Sequence, residues 1–255
     1  MASEDGLAHY GAFEAAQERL YREFPEAQVE RRPGCVLFVC PTLPMPQCNG
    51  PWVVDDGAAS GALADAIAEV EAAGAVAWVQ TRSGHDKTRQ AAGGLGFTHE
   101  ESAPGMLLRR GELVEPAPVE LEIGPIRDDE VDGATAVLAE AFGAPKELFD
   151  YFCSRIRMVE EACWYVGRAE GTIVSTAIGH THDGATGIFN VATPPPHRGR
   201  GYGAALTARA ARDGFAAGAE LAYLQSSEIG HGVYQLLGFR DVEEYTLLAR
   251  PVASA

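Results

Sequence analysis

The chain has 255 residues, 46% of them hydrophobic, with 20 basic against 36 acidic side chains and a formal net charge of −16. That length and apolar content are enough for one large packed domain or two ordinary ones, and an acidic chain without a basic face or tail argues against nucleic acid as a partner. No apolar run approaches the about 20 residues that a bilayer requires, so membrane insertion is not expected.

The opening Met1-Ala-Ser-Glu-Asp5 lacks the basic and apolar regions of a signal peptide. Cysteines at 35, 40, 48, 153 and 163 have no Cys-x-x-Cys spacing. Both features predict reduced, buried thiols in a cytoplasmic protein. In the first half, Asp55-Asp-Gly-Ala-Ala-Ser60, Ala73-Gly-Ala-Val-Ala-Trp-Val-Gln80 and Leu95-Gly-Phe97 stand out as segments with counterparts further on. Glu115-Pro-Ala-Pro118 then reads as a linker, because two prolines in three residues exclude helix. The expected domains are 1–116 and 119–255.

Beyond the linker, 119–126 reads as a strand, and Asp128 as the cap of a helix with apolar residues at 131, 134, 138 and 141–142, stopped by Gly143. A second helix is expected over 146–159. Residues 163–168 and 172–180 read as paired strands about Ala169-Glu-Gly171, and Asp183-Gly184 as a hairpin turn into a strand over 186–191. A helix over 203–217 closed by Gly218, a strand over 221–225, a short helix about Tyr234 and strands flanking Glu243-Glu244 complete the chain.

Between the 186–191 strand and the next helix lies Val191-Ala-Thr-Pro-Pro-Pro-His-Arg-Gly-Arg-Gly-Tyr-Gly-Ala204. Glycines at 199, 201 and 203 let the backbone take positive φ and come close to a ligand, and the first helical amides present partial positive charge to an anion. His197, Arg198 and Arg200 add charge, so the pattern suits a pyrophosphate. A P-loop is excluded because no Lys-Ser/Thr pair closes the motif. A dinucleotide fingerprint is formally met by Gly199, Gly201 and Ala204, but the acid, Glu220, precedes its strand instead of ending it, and the upstream segments read as hairpins.

The third reading is a resemblance. Val191-x-Thr193 followed by Arg198-x-x-Gly201-x-Gly203 resembles the acetyl-CoA motif of the GCN5-related N-acetyltransferases, and Val233-Tyr-Gln-Leu-Leu-Gly-Phe239 resembles that family's Tyr-x-x-Leu-Gly-Phe signature. The resemblance covers about 119–250 and implies an α/β fold with a mixed, mostly antiparallel sheet flanked by helices. It also implies acetyl-CoA as cosubstrate and an amine as acceptor; no metal is expected, because His180 and His182, on one face beside a hairpin turn, read as solvated side chains. Carried over, Val191, Ala192 and Thr193 pair with the pantetheine arm, and Arg198, Gly199, Arg200, Gly201, Tyr202, Gly203 and Ala204 hold the pyrophosphate. Ser226 stands on the loop before the tyrosine, where the family usually has asparagine. Tyr234 is the acid that protonates the leaving thiolate. The 186–193 strand has no carboxylate, which leaves Glu228, through a water, and then His180 as candidate bases.

The first-half segments match the second: 73–80 with 217–225, Leu95-Gly-Phe97 with Leu237-Gly-Phe239, each before a Leu-Leu strand. They suggest a tandem of two such domains, the first degenerate because Asp55 and Asp56 would repel a pyrophosphate. Its role is then a scaffold, a homodimer surface or an acceptor lid. The leading expectation is an N-acetyltransferase acting on a small primary amine by direct attack in a ternary complex. The alternative is a non-catalytic acyl-CoA-binding module.

Overall fold

The computed structural model describes residues 3–251, apart from the side chain of Ser60. Met1, Ala2 and residues 252–255, at the outer ends of the two expected domains, lie outside the described residues. In chain order the elements are α1 (Glu4–Tyr21), β1 (Gln28–Arg32), β2 (Cys35–Val39), β3 (Asn49–Val53), α2 (Asp56–Ala72), β4 (Val79–Arg82), α3 (Asp86–Gly94) and β5 (His99–Arg109). Then follow β6 (Glu122–Pro125), α4 (Val131–Phe142), α5 (Lys146–Ile156), β7 (Ala162–Ala169), β8 (Thr172–His182), β9 (Ala185–Ala192), α6 (Tyr202–Ala216), β10 (Leu221–Gln225), α7 (Glu228–Leu236) and β11 (Arg240–Ala249).

The chain forms two compact units that are not contiguous in sequence. One comprises Gln17–Pro104 and β11 from Glu243; the other comprises Asp5–Ala16 and Gly105–Val242. In the first unit the strands run β1-β2-β3-β4-β11, with Tyr245 to Leu248 antiparallel to Arg82 to Val79. In the second they run β5-β10-β9-β8-β7-β6, with Leu221 to Gln225 antiparallel to Arg109 to Gly105. Compactness thus divides the chain differently from the 116/119 linker. The Leu107-Leu108 strand completes the second unit, and its sequence counterpart Leu247-Leu248 completes the first.

Local chemistry explains most of the second unit's elements. Glu170-Gly171 and Asp183-Gly184 all have positive φ, the backbone of the tight two-residue turns joining β7 to β8 and β8 to β9. Gly143 caps α4 in the left-handed conformation at φ 66°, its amide donating to Ala139 O. At the other end Asp128 lies inside a short 3-10 turn, and the Arg127 amide donates to Glu130 Oε2 at 2.8 Å, so Glu130 performs the capping expected of Asp128. α5 stops at Ile156, because the Met158 and Val159 amides turn back to Arg155 and Ile156 in a tighter coil. Around Glu243-Glu244 there is one continuous strand instead of two, with Arg82 paired to Glu243 at 3.0 Å.

Each unit has its own core. Leu37, Val53, Leu63, Val70, Val79 and Phe97 anchor the first, and Met106, Leu108, Ile188, Leu206, Leu224 and Phe239 the second. All five cysteines are free thiols. No helix among the described residues is long and apolar enough to cross a membrane.

Candidate functional site

The site grows from an irregularity in β9. On the β8 side, Ile178 faces Phe189 but Thr176 faces Ala192, so β9 carries one extra residue there. Asn190 takes the resulting left-handed backbone at φ 51°, which asparagine tolerates better than most residues. On the other side, β9 runs parallel to β10 only from Ala185↔Leu221 to Gly187↔Tyr223. Beyond that pair the two strands part, although β9 continues to Ala192 and β10 to Gln225.

Side chains hold the bulged end of β9 in place. Ser175, fully buried on β8, donates its hydroxyl to Ala192 O at 2.9 Å, so the Thr193 hydroxyl must be the donor in its 2.8 Å contact with Ser175 Oγ. Arg198 Nε donates to Thr193 O at 2.9 Å, and its terminal nitrogen reaches Ala141 O at 3.3 Å. The chain then passes through Gly199 at φ 74° and Gly201 at φ 79° into α6.

Gly201 occupies the cap position of α6 with no side chain capping the helix, so the first-turn amides at Tyr202, Gly203 and Ala204 lack intrahelical acceptors. Arg198, Gly199, Arg200 and Gly201 are exposed, Tyr202 is buried and anchors the turn, and Gly203 and Ala204 are half-buried. A Cβ at Gly199 would meet nothing within 4 Å, whereas one at Gly203 would stand 3.7 Å from Val191 Cγ1 and 3.8 Å from Thr193 Oγ1. The glycines therefore leave the space before the helix open to an anion. Of the proposed cofactor residues, Val191 and Ala192 end β9, Thr193 follows it, and 198–204 lead into and begin α6.

Tyr234 sits on α7, 8% exposed, edge-on to Phe239 with ring centroids 6.1 Å apart. It belongs to the α6-side core with Leu206 and Leu224, and burial pushes its phenol up to about 12. Gly230 makes room for the ring, since a Cβ there would come within 2.8 Å of it. Ser227 caps α7 by accepting from the Gly230 amide at 3.2 Å, while Ser226 is buried with its hydroxyl on Ser227 O. Glu228 is exposed in the first turn of α7.

The structure does not bring His180 to the Tyr234 side. A Cβ on Gly179 would meet Ala210 of α6, so His180, the next residue, points to the opposite face. It is 1% exposed there, with its ring 5.3 Å from that of His182. The same face holds a histidine that sequence reasoning missed. His9, from α1, is fully buried, packs against Tyr223 at 5.4 Å and donates through Nε2 to Leu224 O at 3.0 Å. No local pattern links residue 9 to residue 224. Ser175, Asn190 and Gln225 were also missed, and each matters only because of its strand neighbours.

The first unit differs at the corresponding place. Its β3 and β4 stay together, with the Trp78 amide on Asn49 O at 2.9 Å and Trp52 across from Gln80. The start of α2 is capped internally, as Asp55 accepts from the Ala58 amide at 2.8 Å. Asp56 accepts from the amides of Lys87 and Thr88 at 3.1 and 2.7 Å. Carboxylates stand where the second unit presents open amides.

The Acetyltransferase (GNAT) family model matches residues 132–239, from α4 through Phe239. Among curated proteins no sequence matches the chain. Similar solved structures include a GCN5-related N-acetyltransferase from Kribbella flavida, at TM-score 0.74 and 19% identity, covering 94% of each chain. Another, from Sphaerobacter thermophilus, has TM-score 0.66 and 17% identity over 93% of this chain and 87% of that one. A tandem GNAT protein from the clavulanic acid biosynthesis pathway has TM-score 0.62 and 14% identity, over 91% and 85%. At these identities the likeness establishes the fold, a mixed, mostly antiparallel sheet flanked by helices.

Proposed function

Residues 132–239 being an acetyltransferase domain of the GNAT family, we propose that the protein transfers an acetyl group from acetyl-CoA to a primary amine of a small molecule, by direct attack in a ternary complex. The observation that carries this reading is the coincidence of two features in one unit: β9 parts from β10 after Gly187, and the chain leaving β9 delivers the glycine-led, uncapped start of α6.

In this reading the amides of 199–204, with Arg198 and Arg200, hold the pyrophosphate, and the backbone of Val191 to Thr193 lines the thioester arm and polarises its carbonyl. Tyr234 is protonated at neutral pH as any phenol is, and burial, which pushes it up to about 12, keeps it so well into the alkaline range. A full proton transfer from a phenol near 12 to a thiolate whose acid lies near about 8.5 is uphill, so Tyr234 serves best as a hydrogen-bond donor to the departing sulfur. Glu228, exposed in the first turn of α7, is the base candidate that solvent reaches, whereas His180 is 1% exposed. The first unit is a non-catalytic partner domain, consistent with its internally capped α2. Free thiols suit a cytosolic enzyme.

Thermal-shift titration with acetyl-CoA tests the reading. Wild type is expected to gain several degrees at saturating ligand, and Gly201→Glu to gain none. Binding without turnover on a broad panel of amines would favour the rival, a non-catalytic acyl-CoA-binding module, which the raised phenol of Tyr234 would also suit.

A further inference from the structure

Gln225 closes β10 at the point where the strands have parted. Across from it on one side is Gly105 of β5, and on the other the pairing with β9 has ended two residues earlier, at Tyr223 and Gly187. Side chains two apart on a strand share a face. Gln225 therefore projects with Tyr223, away from Ala222 and Leu224, which lie in the α6-side core. Its amide nitrogen Nε2 is shut off from solvent and has no hydrogen-bond partner among the described residues.

A buried amide donor without a partner is rare in native proteins, because the group has given up its hydrogen bonds to water without replacement. Turning the amide over would only put its oxygen in the same enclosed position. Where the two strands last pair, the rings of Phe189 and Tyr223 close over Gly187, a Cβ there lying 2.5 Å from Phe189 and 2.7 Å from Tyr223 Oη. An unpaired polar group at the end of β10, where β9 has parted from it, is placed to fix the orientation of a ligand.

We infer that Gln225 donates a hydrogen bond to an oxygen of the acceptor, so that the acceptor is an amine carrying a carbonyl, carboxylate or hydroxyl oxygen near its nitrogen and not a plain alkyl amine. The inference rests on the acetyltransferase reading. In a direct transfer the incoming amine and the departing thiol occupy different sides of the reacting carbon. Tyr234 belongs to the α6-side core on one face of the sheet, so an acceptor approaching from the other face, beside α1, meets Gln225.

Gln225→Met keeps the length of the side chain and removes the donor. The ligand-free variant is expected to melt about 2–4 °C above wild type, since an enclosed, unpaired group has gone. An unchanged or lower melting temperature would mean that the amide is satisfied within the folded protein, and would overturn the inference. Turnover is then compared on size-matched amines with and without the oxygen, such as glycinamide and propylamine. Wild type is expected to favour the oxygenated member about ten- to a hundredfold in kcat/KM, and the variant to lose that preference through KM, with acetyl-CoA affinity unchanged. The same preference in both proteins would overturn it. Failure of wild type to bind acetyl-CoA would remove the acetyltransferase reading itself, and this inference with it.

Discussion

Arg198 turns back onto the strand that delivers it, its Nε donating to Thr193 O at 2.9 Å while its far nitrogen reaches Ala141 O at 3.3 Å. One side chain thereby ties the glycine loop both to the end of β9 and to the last turn of α4. The arginine motif is read in sequence as charge for a phosphate; its observed contacts are to backbone carbonyls, which fix the shape of the loop.

Arg198→Lys separates those roles, because lysine keeps the charge but cannot span two carbonyls with a planar fork. The variant is expected to bind acetyl-CoA about tenfold more weakly by calorimetric titration, at little cost in stability. Wild-type affinity would show that charge alone matters at this position.

Gly199 and Gly201 have the same backbone sign but different surroundings. A Cβ at Gly199 has free space, whereas one at Gly201 would lie 3.1 Å from Val119 Cγ1. Alanine at either site carries a left-handed penalty of about 1 kcal/mol, so each variant should melt about 2–4 °C lower. Gly201→Ala is expected to lose more than Gly199→Ala, a ranking that differential scanning calorimetry checks.

Tyr234→Phe should lower kcat about ten- to a hundredfold while leaving acetyl-CoA affinity intact. Because burial pushes the phenol up to about 12, the wild-type pH–rate profile should show no loss of activity from phenol ionisation between pH 7 and about 10. An alkaline limb in that range that Tyr234→Phe abolished would contradict this assignment.

Arg168 is buried and holds Glu130 through two contacts, Nε to Oε1 and NH2 to Oε2, at 2.5 and 2.6 Å. With help from the Arg127 amide, and against the effect of burial, this pulls the Glu130 carboxyl from 4.5 down to about 2. A depressed folded-state value adds stability that is complete above the unfolded value and is lost as pH falls through the folded one. The stability difference between wild type and Glu130→Gln should therefore hold steady above about pH 5.5 and shrink from there toward pH 2, by urea unfolding at stepped pH. A difference that did not change with pH would mean that the carboxylate is not ionised by this pairing.

Local sequence carried much of the second unit. The turns at Glu170-Gly171 and Asp183-Gly184, the αL stop at Gly143, and the strand–glycine loop–helix succession from Val191 to Ala204 depend on φ preferences that reside in the residues themselves. The bulge at Asn190 was not legible, since a single asparagine in a strand does not say that its neighbours will fall out of register. His9 and Gln225 were equally silent, because each acquires its meaning from strands more than a hundred residues away or from a pairing that ends two residues earlier.

By itself, then, the sequence determined most elements of the second unit, their turns and the glycine loop before α6, all of which are short-range properties of the backbone. Tertiary structure decided which strand completes which unit. Leu107-Leu108 and Leu247-Leu248 are alike in pattern, and either set offers apolar side chains and backbone groups to a waiting sheet edge. Leu107 and Leu108 pair with Tyr223 and Ala222, while Leu247 and Leu248 pair with Gln80 and Val79. Strand pairing is non-local, and a similar local pattern cannot specify its own partner.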